Sequence, residues 1–139
     1  DKLTPAVSDY IGYFPDVMPT LCDIAGVVSP KTDGISFLPT LKGKRQPKHD
    51  YLYWEFPKFK GGNGWLSVRM GRWKALVEDV ADGNTRMQLY DITTDVREEN
   101  DLAADYPKVV AAMWQAIKES HTDANNPLFQ LDIKYPSEK

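Results

Sequence analysis

Alternating residues on either side of Gly71 place the strongest constraint on how this chain can fold. One residue in two is apolar along both arms, and the apolar members are Leu66, Val68, Met70, Trp73, Ala75 and Val77. A period of two places these side chains on one face of a strand. A Gly-X pair such as Gly71-Arg72 closes tight hairpins. The pattern therefore predicts a β-hairpin with one buried face.

Two further segments extend this hairpin into a sheet. Residues 51–56, YLYWEF, are aromatic and aliphatic, which is typical of a strand covered on both faces. After a turn at Asp82-Gly83-Asn84, residues 86–92 place Met87 and Leu89 on one side of a last strand. Four strands joined in chain order predict an antiparallel meander.

Helical patterns precede and follow the predicted strands in the sequence. A stripe of apolar residues recurs at helical spacing between Asp105 and Lys118, namely Val109, Val110, Met113, Trp114 and Ile117. A shorter helix is predicted upstream, with Asp16 as its cap, Pro19 in its first turn and Gly26 at its end. Its apolar face is formed by Val17, Leu21, Ile24 and Ala25.

The predicted fold class is therefore α+β. A four-stranded antiparallel sheet carries the C-terminal helix on one face, and the short helix and an extended connection over 27–50 precede it. With 42% hydrophobic and 27% charged residues, the chain has the composition of a globular protein.

Charge and composition disfavour several classes of partner. The formal net charge is −3, so no overall field draws the chain to nucleic acid or to an anionic membrane. The sequence contains no apolar run of the roughly 18 residues that a membrane span requires. We expect neither partner. The chain begins at Asp1 without a leader pattern, and we expect a processed product or a fragment of a longer protein.

Isolated reactive residues give little sign of catalysis or metal binding. His49 and His121 have no second His or Cys nearby, and we interpret them as surface residues. Cys22 is interpreted as a small buried apolar residue. The acidic pairs Glu98-Glu99 and Asp79/Asp82 are typical of turns. We therefore predict no catalytic residue and no metal ligand in this chain.

The loop after the first predicted strand is the best candidate for a binding site. It places Lys58 and Lys60, with Phe59 and Trp65, around a glycine cluster. Ammonium groups can bind an anion while aromatic rings cover a sugar face. A solvated hairpin loop with an anchoring tryptophan explains the same residues equally well.

Five collinear blocks resemble a known family. In order they read DVMPTLCDIAG, DGISFLPTLKG, YLYWEF, SVRMGRWKAL and QLYDITTDVREENDLAADYP. They are similar to the family patterns D-x-x-P-T-L, D-G-x-S-x-x-P-x-L-x-G, a Trp-Glu strand, V-R-x-G-x-W-K and L-Y-D-x-x-x-D-P-x-E-x-N-x-L-A. The order and spacing resemble the C-terminal part of the type I, arylsulfatase-like sulfatases. Val96 and Arg97 depart from the pattern, which usually has Pro and often Gly there.

This resemblance implies how the chain is organised and what it lacks. Residues 1–50 would be the end of the catalytic-domain fold with a connecting segment, and residues 51–139 the sulfatase C-terminal subdomain. Family members use calcium and a formylglycine made from a C/S-x-P-S/A-R motif in a larger N-terminal domain. Cys22 is followed by Asp23-Ile24-Ala25 and does not match that motif. The resemblance implies a parent sulfuric ester hydrolase and no cofactor or catalysis in this chain alone.

The resemblance also implies partners. We expect the chain to pack on its own catalytic domain, and to self-associate through an exposed docking face around Val17, Leu21 and Ile24 when that domain is absent. The loop from Glu55 to Trp65 would help to shape a pocket for a sulfated saccharide or an aryl sulfate. The predicted substrate-binding residues are Glu55, Lys58, Lys60 and Trp65.

The resemblance further implies an exported parent, in a periplasmic, extracellular or lysosome-like compartment. Two other functions compete with this interpretation. A free-standing carbohydrate-binding module would use the same aromatic loop unaided. A nucleic-acid binder using KFKGGNGW is disfavoured by the acidic balance and by the absence of a known RNA-binding motif.

Overall fold

A computed structural model describes residues 5–57 and 63–136 of the chain. Two compact units divide at residues 50 and 51. Among the helices in the described ranges, none combines the length and the apolar character that crossing a membrane requires.

The first unit contains two helices. Helix α1 runs over Val17–Ala25 and follows a 3-10 turn at Phe14–Asp16. It ends at Gly26, which takes the left-handed φ of 70° that the sequence predicts. Helix α2 is a single turn over Leu38–Leu41.

The predicted capping of α1 by Asp16 is wrong. Asp16 has a helical φ of −70° and ψ of −18°, and its side chain makes no bond to the first turn of α1. The 3-10 turn runs directly into the helix, so the Asp16 carboxylate points back and accepts from the Tyr13 N–H at 3.1 Å.

The second unit contains the predicted meander. Its four strands are antiparallel and lie in chain order: β1 at Leu52–Phe56, β2 at Trp65–Met70, β3 at Trp73–Glu78 and β4 at Gln88–Asp91. Met70 pairs with Trp73 across a two-residue turn, in which Gly71 has a φ of 58°. The sheet prediction is therefore confirmed, with β4 beginning two residues later than the sequence indicates.

Helix α3 covers one face of this sheet. It runs over Pro107–Ser120 and packs against β1 and β2. The core consists of side chains from strands and helix together, among them Leu66, Val68, Ala75, Val77, Leu89, Met113 and Ile117. Met113 and Ile117 are 0% and 1% exposed, and each such side chain contributes about 1.5–3 kcal/mol by burial. The predicted lid and its apolar stripe are confirmed.

Strand β1 differs from its prediction. Leu52 is buried, but Trp54 and Phe56 on the same side of the strand are 37% and 48% exposed. Strand β1 forms the edge of the sheet, and α3 covers the opposite face. The expectation that β1 is covered on both faces is therefore wrong at Trp54 and Phe56 in this chain.

Candidate functional site

Two aromatic side chains stand together at one end of the sheet. Phe56 of β1 is paired directly with Trp65 of β2, and directly opposed residues project to the same face. Their rings are stacked, with centroids 5.4 Å apart and planes 9° from parallel. Both remain well exposed, at 48% and 40%. This aromatic pair presents apolar ring surface beside the loop that sequence analysis singled out.

A cleft of about 240 Å³ adjoins the aromatic pair. Besides the two rings it is lined by Pro57, Asn63, Gly64, Glu78 and Asp79. Backbone bonds fix two of the lining residues, because the N–H groups of residues 80 and 81 donate to the carbonyls of Gly64 and Asn63 at 3.2 and 2.8 Å. The cleft can therefore offer rings for an apolar face and carboxylates that accept from hydroxyl groups.

Glu55 lies on the other face of the sheet. It is paired with Leu66, whose side chain belongs to the core beneath α3. Glu55 Oε2 accepts from the Tyr53 hydroxyl at 2.5 Å and lies 2.8 Å from His121 Nδ1. Because an ionised carboxylate only accepts, Nδ1 is the donor in that contact. Burial, and then the bond to Glu55, raise the pKa of Tyr53.

The four predicted substrate-binding residues therefore have different placements. Trp65 belongs to the aromatic pair, whereas Glu55 is directed to the opposite face and is engaged with Tyr53 and His121. Lys58 and Lys60 lie outside the described residues.

The first unit contains a carboxylate, that of Asp16, with several tertiary contacts that the sequence did not predict. Asp16 is fully buried. Its Oδ2 accepts from the Tyr10 hydroxyl at 3.0 Å and from the Tyr13 N–H at 3.1 Å. Its Oδ1 accepts from the Ile35 N–H at 2.8 Å and lies 2.8 Å from His49 Nε2. Asp16 thus joins three separate segments of the first unit.

These contacts determine the acidity of the groups involved. Burial alone would raise the pKa of the Asp16 carboxyl, but the N–H groups of Ile35 and Tyr13, with His49 and Tyr10, outweigh it and hold the pKa below its usual value. For Tyr10, burial and the bond to Asp16 raise the pKa to about 12.

The two histidines are not the surface residues that sequence analysis expected. The side chains of His49 and His121 are only 9% and 15% exposed, and each contacts a carboxylate. No local pattern signals these pairs, since the partners are 33 and 66 residues apart in the sequence.

Cys22 and the acidic pairs complete the inventory of reactive groups. Cys22 is partly exposed, so its expected burial is wrong, because it lies beside the exposed Leu21 face of α1. Glu98 contacts Lys74 at 2.5 Å, and Asp79 occupies a left-handed turn. Within residues 5–57 and 63–136, no group of three or more His, Cys, Asp or Glu side chains is placed to hold a metal ion.

Known structures with this arrangement of sheet and helix define the class. A solved structure of a 2-O GAG sulfatase superposes with a TM-score of 0.66 at 33% identity, covering 75% of this chain and 23% of that one. The fold of the second unit is that of a sulfatase C-terminal domain, which confirms the resemblance in the sequence blocks.

Sequence comparison identifies the family. Residues 7–123 match the family N-sulphoglucosamine sulphohydrolase, C-terminal, and the chain belongs to it. The Δ4,5-hexuronate-2-O-sulfatase of Bacteroides thetaiotaomicron is 38% identical over 103 residues, covering 69% of this chain and 21% of that protein. Human arylsulfatase K is 30% identical over 127 residues, covering 85% of this chain and 23% of that protein. The chain thus spans about a fifth of the length of these relatives, and they give no support to a free-standing carbohydrate-binding module.

Proposed function

We propose that this chain is the C-terminal region of a sulfuric ester hydrolase that acts on a sulfated saccharide. The observation that carries the proposal is the family match over residues 7–123, and similar proteins from a bacterium and from human are named as sulfatases. In the parent, the region packs on the catalytic domain and does no chemistry of its own. It supplies one part of the rim of the substrate pocket.

The contacts of the Asp16 and Glu55 carboxylates support a structural and non-catalytic role. Asp16 already accepts from four donors, and Glu55 Oε2 is engaged by Tyr53 and His121. The Asp16 carboxylate, with both oxygens engaged, therefore has few lone pairs left for a substrate proton. We therefore assign both acid–histidine pairs to holding the fold.

Calcium and formylglycine belong to the parent and do not fit this chain. Cys22 precedes Asp-Ile-Ala, which is not the modification motif. The described residues also include no cluster of oxygen or nitrogen ligands suited to a metal ion. We expect both groups in the catalytic domain, and we expect the parent to be exported.

The rim contribution rests on the aromatic pair and on the two lysines of the same loop. Phe56 and Trp65 expose ring surface on which a saccharide can lie. Lys58 and Lys60 fall between them in the sequence and carry the positive charge that an anionic substrate requires. One charge-assisted contact of this kind contributes about 1.5–3 kcal/mol.

Sulfate release from an unsaturated 2-O-sulfated uronate disaccharide tests the proposal. The parent with both domains should release sulfate, and the 139-residue chain should not. In the parent, K58A/K60A should lower kcat/KM by roughly 10- to 150-fold, as expected for one lost charged contact. The control K108A/K118A removes two exposed lysines from α3 and should leave kcat/KM unchanged.

Two results would contradict the proposal in different parts. Sulfate release by the isolated chain would refute its non-catalytic role. Equal kcat/KM for K58A/K60A and K108A/K118A, on sulfated saccharides and aryl sulfates alike, would refute the rim assignment.

A further inference from the structure

The first unit carries a cluster of positive charge that the proposed function does not use. Four cationic side chains fall within the seven residues 42–48, and these are Lys42, Lys44, Arg45 and Lys48. All four are exposed, and in the described parts of the chain none of them forms an ion pair. In a chain of net charge −3, this basic loop is a strong local exception.

Gln46 fixes the backbone of the basic loop. Its Oε1 accepts from the N–H and the hydroxyl of Thr40 at 3.1 and 2.8 Å. Its Nε2 donates to the carbonyls of Ser36 and Pro47 at 2.9 and 3.0 Å. The Lys44 N–H donates in turn to the Pro39 carbonyl at 2.8 Å. Because the backbone is held, a ligand that binds the four cations has only their side chains to order.

The basic loop forms one wall of a groove of about 1330 Å³. Residues 5–10 form the other wall, and Lys44, Arg45 and Lys48 line it together with one carboxylate, Asp9. This volume exceeds the roughly 300–1,000 Å³ of typical small-molecule pockets. An open groove of this size with cations along one side suits an extended polyanion better than a single sugar.

We propose that this groove binds a sulfated polysaccharide chain. The choice of ligand rests on the proposed function, because a sulfatase that acts on polymers meets sulfated chains. Charge complementarity supports it independently, since three unpaired cations, Lys44, Arg45 and Lys48, line the groove, and Lys42 adds a fourth exposed charge to the basic loop.

Binding of the 139-residue chain to immobilised heparin tests the inference. With four charge contacts, the affinity should fall about 50-fold between roughly 50 and 200 mM NaCl. The variant K42A/K44A/R45A/K48A should lose at least about tenfold in affinity and most of this salt dependence. The control K31A/R97A/K108A/K118A removes the same number of exposed cations elsewhere and should bind like the wild type. Far-UV circular dichroism checks that both variants are folded.

Comparison ligands make the outcome decisive. Unsulfated hyaluronan and an oligothymidylate should bind at least about tenfold more weakly than heparin. Equal loss in the two quadruple variants, equal affinity for hyaluronan or the oligonucleotide, or no heparin binding at low salt would each overturn the inference. Since the assay measures binding by this chain alone, its result is independent of sulfate release by the parent.

Discussion

Replacing Asp16 by Asn tests how the first unit is held together. The side chain is fully buried, and its two oxygens face two backbone N–H groups, those of Tyr13 and Ile35, on opposite sides. An amide offers one oxygen and one NH2 group. In either orientation, the NH2 group therefore faces a backbone N–H that it cannot satisfy. Tyr10 and His49 can reverse their roles, but the two backbone groups cannot.

This geometry determines how much folding free energy D16N should lose. One charge-assisted bond is lost, a buried N–H is left unsatisfied, and the remaining bonds lose their charged acceptor. Together these changes should cost about 3–5 kcal/mol. Since 1.4 kcal/mol corresponds to a tenfold change, amide exchange at Ile35 should become faster by roughly two to three and a half orders of magnitude.

Hydrogen exchange followed by NMR measures the exchange rate of the Ile35 amide directly. D33N is the matched control, because Asp33 lies in the same segment but its side chain is exposed. Its effect should stay within about 0.5 kcal/mol. All four tryptophans lie in the second unit, so tryptophan fluorescence is not the probe for this change. Similar exchange rates at Ile35 in D16N and D33N would refute the reasoning.

Three further predictions follow from the same contacts. Because the pKa of Asp16 is depressed in the folded state, the contribution of its carboxylate to folding stability is complete above the usual pKa of 3.8 and is lost as the pH falls through the lower folded-state pKa. Hydrogen exchange at the Ile35 amide should show this loss in the wild type and not in D16N. G64A should lower the free energy of unfolding, measured by urea denaturation with tryptophan fluorescence, by about 2–4 kcal/mol, since its Cβ would lie 2.6 Å from Leu131 Cδ2. G71A, with open space around its Cβ, should cost only about 1 kcal/mol, and equal costs would contradict the clash. L21K/I24K should abolish concentration-dependent self-association in sedimentation, whereas V96K/L128K, which also changes two exposed apolar residues, should not; a wild-type chain that stays monomeric would contradict this expectation.

Most of the second unit could be predicted because its signals are local. Alternation around Gly71 defines the β2–β3 hairpin, and the stripe from Val109 to Ile117 defines the face of α3 that meets the sheet. The covering of β1 could not be predicted in this way. The sequence of an apolar strand is the same whether or not a second layer covers its outer face. In this chain Trp54 and Phe56 are exposed.

The candidate site was harder to predict because it depends on register. Glu55 and Trp65 belong to one short stretch of sequence, but Phe56 is the residue paired with Trp65. A shift of one residue reverses the face of a side chain, so Glu55 projects away from the aromatic pair. Eight residues separate the two strands in the sequence, so the sequence alone does not give this register, and only the paired backbone reveals it.

Contacts between the sequence blocks give a physical reason for their joint occurrence. In the first unit, Asp16 accepts from the N–H of Ile35, and the Thr20 hydroxyl accepts from the N–H of Phe37, so the first block binds the second. In the second unit, Lys74 of the fourth block contacts Glu98 of the fifth at 2.5 Å. The first and second blocks, and the fourth and fifth, therefore provide partners for each other.

Contacts within the fifth block also explain why Val96 can stand where the family pattern usually has proline. Val96 is 81% exposed and replaces a proline that would stiffen the turn. Here the Asp95 carboxylate accepts from the N–H groups of Glu99 and Asn100 at 3.2 and 2.9 Å, and these bonds hold the pKa of Asp95 below its usual value. Because side-chain bonds already fix the turn, the loss of the proline leaves Glu98 in place to meet Lys74.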